Sequence, residues 1–402
     1  MQTYHKDIPV FVAGAGVISA IGNNVSQCLH ALETGRAGMG DITLINTIHK
    51  ELPVTEVKLT NNELSALAGL DANVSRTALL SMVAAGEALN SANIENIAAL
   101  RSGFISANTV GGMDKSEQFF SAFLADHSKG RLRDVVHHEC GSVTELVADR
   151  LGIRNNVTTI STACSSSANA IMYGARLIKH GMLDVVIAGG TDAITKFTLN
   201  GFNTLMILDK DECKPFDDHR KGLNLGEGAG YVVLVSERVA ANLDTVICRL
   251  SGYCNKNDAY HQTASSPEGK GSYLAMNGAL RQAGLAPADI DYINLHGTGT
   301  PNNDLSEGKA IARLFDGNYP AMSSTKSFTG HTLGASGGIE AVFSSLSAKH
   351  GFIYPNLRFE TQMKELPFSP VTTFARNTSV KHVLSNSFGF GGNCSSLIFS
   401  KV

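Results

Sequence analysis

The chain has 402 residues, 43% hydrophobic and 17% charged, a globular composition long enough for two fused domains sharing a sizeable core. Its 33 basic and 36 acidic residues leave a net charge of −3, which argues against a general nucleic-acid footprint. Seven cysteines (Cys28, Cys140, Cys164, Cys213, Cys248, Cys254 and Cys394) are scattered without C-x-x-C spacing, so reduced thiols in a cytoplasm are expected, not a disulfide frame or a zinc site. The first residues, Met1–Asp7, are polar and run straight into a strand-like stretch, so no signal peptide is expected. No run of 18 uninterrupted apolar residues occurs, and no membrane span is expected.

In chain order, Val10–Val17 reads as a strand and Asn24–Gly35 as a helix ending on glycine. The strand carries Gly14-Ala15-Gly16-Val17-Ile18-Ser19, a G-x-G-x-x-S that falls short of a dinucleotide fingerprint. Glu33, at about the right distance for a ribose contact, falls inside the helix pattern. Ser75–Ala92 reads as a long helix of small residues, Ser102–Ala107 as a strand and Val143–Leu151 as a short helix. Val157–Ile160 reads as a buried strand that stops at a tight turn, followed by helical spacing from Ser165 to Lys179. Leu183–Gly190 and Gly230–Ser236 are nearly all-apolar strands. A second half begins near Ile247–Tyr253 and repeats the rhythm: helix Gly271–Ala283, strand Ile290–Leu295, helix Asp304–Phe315 and helix Gly334–His350. A strand pair, His382–Ser387 and Ser395–Ser400, closes around a glycine-rich turn. This order predicts a layered α/β fold with mostly parallel strands, divided into halves at 1–250 and 251–402.

Four stretches carry chemistry. Cys164 sits in Ser161-Thr162-Ala163-Cys164-Ser165-Ser166-Ser167, at a predicted helix N-terminus where unpaired N–H groups favour a thiolate. A cysteine is ordinarily a small buried hydrophobe, so the position alone does not make it a nucleophile. His296 ends an apolar strand and leads into Gly297-Thr298-Gly299-Thr300, and ligands in open α/β sheets bind at strand C-termini. Lys326-Ser327-Phe328-Thr329-Gly330-His331 places a second histidine at the mouth of a small-residue helix, where a neutral imidazole can donate an N–H to a developing oxyanion. Asn386-Ser387-Phe388-Gly389-Phe390-Gly391-Gly392-Asn393 is either an ordinary hairpin or a turn that aims backbone N–H groups at a substrate oxygen.

Taken together, and in this order and spacing across the whole chain, these stretches resemble the β-ketoacyl–acyl carrier protein synthases, in particular the decarboxylating Cys-His-His branch. Pro215-Phe216-Asp217 through Arg220, Gly226-Glu227-Gly228-Ala229-Gly230 and Asp258-Ala259-Tyr260-His261 add to the resemblance. It implies a thiolase-like fold of two similar αβαβα-layered halves, in a homodimer or as the active member of a heterodimer. It implies that Cys164 accepts an acyl chain from a carrier thioester. His296 and His331 then stabilise the enolate formed when a malonyl-carrier thioester loses CO₂. The implied oxyanion donors are the backbone N–H groups of Cys164 and Phe390, with Phe390 also gating the acyl pocket. Lys326 is implied to set the charge state around His331, with Glu307 as its partner. Thr298, Thr300 and Thr263 are the implied contacts of the phosphopantetheine arm, and Thr109, Val110 and Phe202 the implied acyl-pocket lining. No metal and no cofactor of the protein's own are implied, because phosphopantetheine arrives on the acyl carrier protein.

Some features depart from the pattern. The Ala163–Ser167 context is similar to polyketide-type synthases, the Thr60–Leu70 region lacks the basic residues that relatives offer an acidic carrier, and Met206 stands where an arginine is common. Lys129, Arg131 and Arg133 are the remaining basic candidates for a carrier footprint. A silent chain-length-factor-like subunit would lack the nucleophile. A thiolase would use a second cysteine as base, a role for which only Cys394 is near the right place. The initiating synthases carry asparagine where His331 stands.

Overall fold

The structure, a computed structural model, describes residues 8–402; the polar stretch Met1–Asp7 lies outside the described residues. Among the described residues, ten strands form one sheet: β1 (Val10–Ser19), β2 (Ser102–Ala107), β3 (Val157–Ile160), β4 (Val185–Asp192), β5 (Gly228–Ser236), β6 (Cys248–Asn257), β7 (Tyr292–Asn294), β8 (Ala321–Ser323), β9 (His382–Gly389) and β10 (Asn393–Ser400). Their order is β3-β2-β4-β5-β1-β6-β10-β9-β7-β8. Read inward from either edge, the two sets of five follow the same order, 3-2-4-5-1 and 8-7-9-10-6. They join where Val10, Phe11 and Val12 of β1 pair with Leu250, Arg249 and Cys248 of β6.

The expected α/β class holds, but the strands are not mostly parallel. Only β2–β3, β2–β4, β7–β8 and β7–β9 pair in parallel, whereas β1–β5, β1–β6, β4–β5, β6–β10 and β9–β10 are antiparallel. A helix between strands signals a crossover, but the return from β4 to β5 runs through the helix Lys196–Thr204 and then a long irregular stretch whose composition does not fix strand direction. The expected buried strand Val157–Ile160 is instead half-buried, because β3 is an edge with β2 on one side only.

The helix Arg76–Ser91 lies on β1, β4 and β5 from outside, capped by the Ser75 side chain. Gly14 and Gly16 lie under it. A Cβ added there would fall 2.3 Å from the Ala88 carbonyl oxygen and 2.1 Å from that of Ala84. Those glycines let helix and strand approach, which explains the incomplete fingerprint without a dinucleotide. The helices Ser166–Lys179 and Ser336–His350 form the middle layer. Ser336–His350 packs on β5 on one side and on β9 and β10 on the other. Lys270–Ala283 and Pro301–Phe315 cover the outer face of the second half. The two five-stranded halves of the sheet, joined at β1–β6, thus stack with the helices as helix, half-sheet, helix, half-sheet, helix. No helix among the described residues is long and apolar enough to cross a membrane.

Candidate active site

The middle-layer helices both begin at the site. Cys164 lies two residues before the first turn of Ser166–Lys179, in a turn where Ala163 takes a left-handed φ of +54°. Two hydrogen bonds of Ser166 Oγ hold that turn. It accepts from the Thr162 N–H at 2.8 Å and donates to the Ala163 carbonyl at 2.5 Å. Asn169, one turn on, ties Thr162 Oγ1 to Ser395 of β10.

The thiol is buried, 6% exposed. Burial pushes it up to about 11, against the pull of Lys326 and of hydrogen bonds from the Phe390 and Cys164 N–H groups. Losing solvent thus outweighs the pull of the helix terminus toward the thiolate. The Phe390–Asn393 turn joins a β9–β10 hairpin and also brings the Phe390 N–H to the side of the thiol, where it favours the thiolate.

His296 follows β7, and its backbone N–H donates to Glu307 Oε1 at 2.9 Å while that of Gly297 donates to Oε2 at 2.9 Å. Asn386 Nδ2 adds a third bond to the same carboxylate at 3.0 Å, and burial pushes Glu307 up to about 7. Glu307 is thus a clamp on the His296 loop and not the partner of Lys326. Lys326 pairs with Glu340, a carboxylate of the middle-layer helix that sequence reading did not single out. Its signal was present, because Glu340 is the only charged residue in Ser336–Ala348.

Lys326 Nζ also lies 3.3 Å from His296 Nδ1, so its direct contact is with the first histidine, while its charge reaches both. On His331, Nδ1 accepts the Leu333 N–H at 3.0 Å. Each Nδ1 is therefore an acceptor, and each neutral ring carries its hydrogen on Nε2. Burial and the lysine hold His296 far below the usual histidine range and His331 at about 3. The rings are edge to face with centroids 5.6 Å apart, and the thiol sulfur and a nitrogen of each ring lie within 4.8 Å of one another. Cys-His-His is also a possible metal donor set, but a ring that keeps its hydrogen on Nε2 offers no lone pair there. Metal-bound histidines donate through the other nitrogen, and these accept.

Two cavities meet at Cys164, Phe202 and Phe390. The first, about 340 Å³, holds His296 and His331 with Thr263, Thr298 and Thr300 at its mouth. The second, about 360 Å³, is lined by Thr109, Val110, Phe197, Leu205 and Gly334. Phe390 stacks on Phe202 at 6.0 Å between them, with the ring planes 17° apart. Thr298 and Thr300 share a 2.9 Å hydroxyl hydrogen bond. Cys394 is buried in β10, and burial pushes it up to about 12, unlike a poised base. Of the basic candidates, Lys129 and Arg131 are engaged by Asp126 and Asp134, and all three lie on the surface with Met206.

Residues 7–240 match the Beta-ketoacyl synthase, N-terminal domain, and residues 247–360 the Beta-ketoacyl synthase, C-terminal domain. The chain belongs to the β-ketoacyl synthase family, and its two similar layered halves are the thiolase-like fold. Among curated relatives, 3-oxoacyl-[acyl-carrier-protein] synthase 2 of Staphylococcus aureus (strain MRSA252) is 35% identical over 98% of this chain and 99% of its own. That of Coxiella burnetii is 33% identical over 98% of each. Among solved structures, the ishigamide ketosynthase/chain length factor superposes with a TM-score of 0.92 at 28% identity, covering 99% of this chain and 100% of that one. The ketosynthase ApeO in complex with its chain length factor ApeC from Xenorhabdus doucetiae gives 0.84 at 31%, covering 100% of both.

Proposed function

We propose that this chain is a β-ketoacyl–acyl carrier protein synthase that extends a Cys164-bound acyl chain by two carbons from malonyl-carrier protein, in fatty-acid or polyketide synthesis. One observation carries the reading: two neutral Nε2–H donors and two backbone N–H groups converge on a single buried thiol where two cavities meet.

In the first half-reaction Cys164 sulfur attacks the acyl thioester carbonyl. The Cys164 and Phe390 N–H groups hold the oxyanion, and the carrier thiol leaves with the proton. Malonyl-carrier then enters the first cavity, its phosphopantetheine arm along Thr263, Thr298 and Thr300. Loss of CO₂ leaves the electron pair on the thioester enolate, whose oxygen takes the two histidine N–H groups. The enolate carbon attacks the acyl carbonyl, the Cys164 thiolate departs and regains a proton, and the β-ketoacyl carrier is released. Lys326 keeps His296 in the donating tautomer. The acyl chain occupies the second cavity along Thr109, Val110 and Phe202, with Phe390 at the junction.

The substrate arm comes on the carrier, so the reaction needs no separate cofactor. Lys129, Arg131 and Arg133 are the basic contacts we assign to the acidic carrier. The chain divides functionally at 1–250 and 251–402, and its free thiols suit the cytoplasm. The half-buried β3 edge and the exposed Phe120, Leu124, Leu132 and Val136 support a dimer. Because two solved relatives are described with a chain length factor, a heterodimer is the second reading, with this chain as the active member. A chain keeping Cys164, His296 and His331 does not read as the silent subunit.

The test is intact-protein mass spectrometry with a panel of acyl-carrier thioesters, with and without malonyl-carrier, and Cys164→Ala as control. An acyl adduct that needs Cys164 and clears into a product two carbons longer supports the reading. A folded protein that loads no chain points to a missing subunit.

A further inference from the structure

Asp192 ends β4 fully buried, outside the group of residues assigned to the reaction. Its Oδ1 accepts the N–H groups of Thr109 at 2.9 Å and Val110 at 3.1 Å. Its Oδ2 accepts the Thr109 hydroxyl at 2.7 Å and the Gly334 N–H at 2.7 Å. Thr109 and Val110 are wall residues of the second cavity. Gly334 follows Leu333, whose own N–H fixes the His331 ring. A single carboxylate thus fastens the acyl-pocket wall and the histidine loop together. The Gly334 carbonyl is held in turn by the Ser167 hydroxyl, on the helix that follows Cys164.

The loop needs that fastening. Leu333 has a left-handed φ of +53°, a strained conformation for a non-glycine residue that persists only where neighbours over-determine it. The His331 backbone is already pinned on its other side, N–H to the Asn224 carbonyl at 2.8 Å and carbonyl to the Gly226 N–H at 3.0 Å. From Thr332 to Gly334 the peptide is held by the Ala335 N–H on the Thr332 carbonyl at 3.0 Å, by the Ser336 N–H on the Leu333 carbonyl and, at the Gly334 N–H, by Asp192. Burial pushes Asp192 up to about 6, so at neutral pH it is ionised and an acceptor at both oxygens.

We propose that Asp192 is a positioning residue that holds Leu333 N–H on His331 Nδ1, and so keeps His331 in its donating tautomer, while fixing the Thr109–Val110 wall. The inference rests on the condensing reaction proposed above. In Asp192→Asn the amide oxygen keeps Thr109 and Val110, but the amide nitrogen faces the Gly334 N–H, donor against donor.

The experiment compares wild type, Asp192→Asn and Thr109→Val in three measurements. They are CO₂ release from malonyl-pantetheine by the acyl-free enzyme, acetyl loading of Cys164, and long-range ¹⁵N–¹H correlation of the His331 ring. Asp192→Asn should lose between about tenfold and a hundredfold in CO₂ release, short of the roughly 10²–10³ of outright donor removal. Acetyl loading should stay within about threefold, and the His331 spectrum should move from the Nε2–H pattern to a tautomer mixture. A uniform loss in both half-reactions, or wild-type CO₂ release with an unchanged spectrum, overturns the inference. If Asp192→Asn does not fold, the wild-type spectrum still decides, because an Nδ1–H tautomer contradicts it. Thr109→Val, lacking one donor to Oδ2, should show a smaller split of the same sign. Wild type that releases no CO₂ sinks the condensing reading instead, leaving the tautomer measurement to judge Asp192.

Discussion

Lys326 and the groups it contacts, Glu340 and His296, are all buried. Breaking a buried pair from one side strands a charge and costs about 3–5 kcal/mol, whereas replacing both partners by apolar groups is often neutral. Lys326→Ala should therefore lose both stability and malonyl decarboxylation. Lys326→Met with Glu340→Leu should recover the denaturant midpoint but not CO₂ release, and a recovered activity would remove Lys326 from the His296 argument. The protonation states make a second prediction. With the thiol at about 11, its reactive fraction grows as pH rises, so Cys164 acylation in quenched-flow mass spectrometry should speed up through pH 7–9. His331, at about 3, is charged only well below pH 5, so its ring resonances should not move between pH 5 and 8. A titration near 6.5 would put the second donor in doubt. At this scale the sequence was legible where a residue type has few uses: Cys164, His296, His331 and Lys326 all converge. It was not legible where partners are chosen by packing. Glu340 is the single acid of Ser336–His350, Glu307 shares Pro301–Phe315 with Asp304, and only the packing of the two halves decides which one meets the lysine.

The elements place these groups through close backbone contact more than through side-chain packing. Gly389, at the end of β9, is the clearest case: a Cβ there would lie 3.0 Å from the Cys164 nitrogen and 3.0 Å from the Thr162 carbonyl. Gly389→Ala should push the hairpin off the nucleophile turn and move the Phe390 N–H away from the sulfur. The cost expected is between about tenfold and a hundredfold in acyl loading, read from the burst phase, with little change in melting temperature. An unchanged burst would mean that the Phe390 N–H is not needed in the first half-reaction. Elements with strong periodicity and clear caps were read within a residue or two: Arg76–Ser91 between Ser75 and Ala92, and Val25–Thr34 between Asn24 and Gly35. Three of the misses share one cause. Strand direction around β5, the edge exposure of β3 and the early start of the helix Pro301–Phe315 depend on what lies beside the segment, and local pattern does not encode neighbours.

At the scale of the molecule, β3 has a free side and the surface carries exposed Phe120, Leu124, Leu132 and Val136. Open edges and apolar patches of this kind are normally covered. Analytical ultracentrifugation at micromolar concentration should give twice the 42.5 kDa chain mass, and Leu124→Asp with Leu132→Asp should shift it toward monomer. A wild-type monomer would mean that this face waits for a different chain. The repeated strand order has its own consequence. Under that repeat β3 corresponds to β8, β2 to β7 and β4 to β9. Cys164, which follows β3, thus stands at the counterpart of the Lys326–His331 segment, which follows β8. The Thr109–Val110 wall, after β2, is the counterpart of His296 after β7. Asp192, closing β4, stands opposite the Gly389–Phe390 end of β9. The candidate site is one locus used twice, with the thiol kept in one copy and the two N–H donor rings in the other. Neither copy alone carries both sets of groups, and the site is complete only where two unequal twins lie face to face.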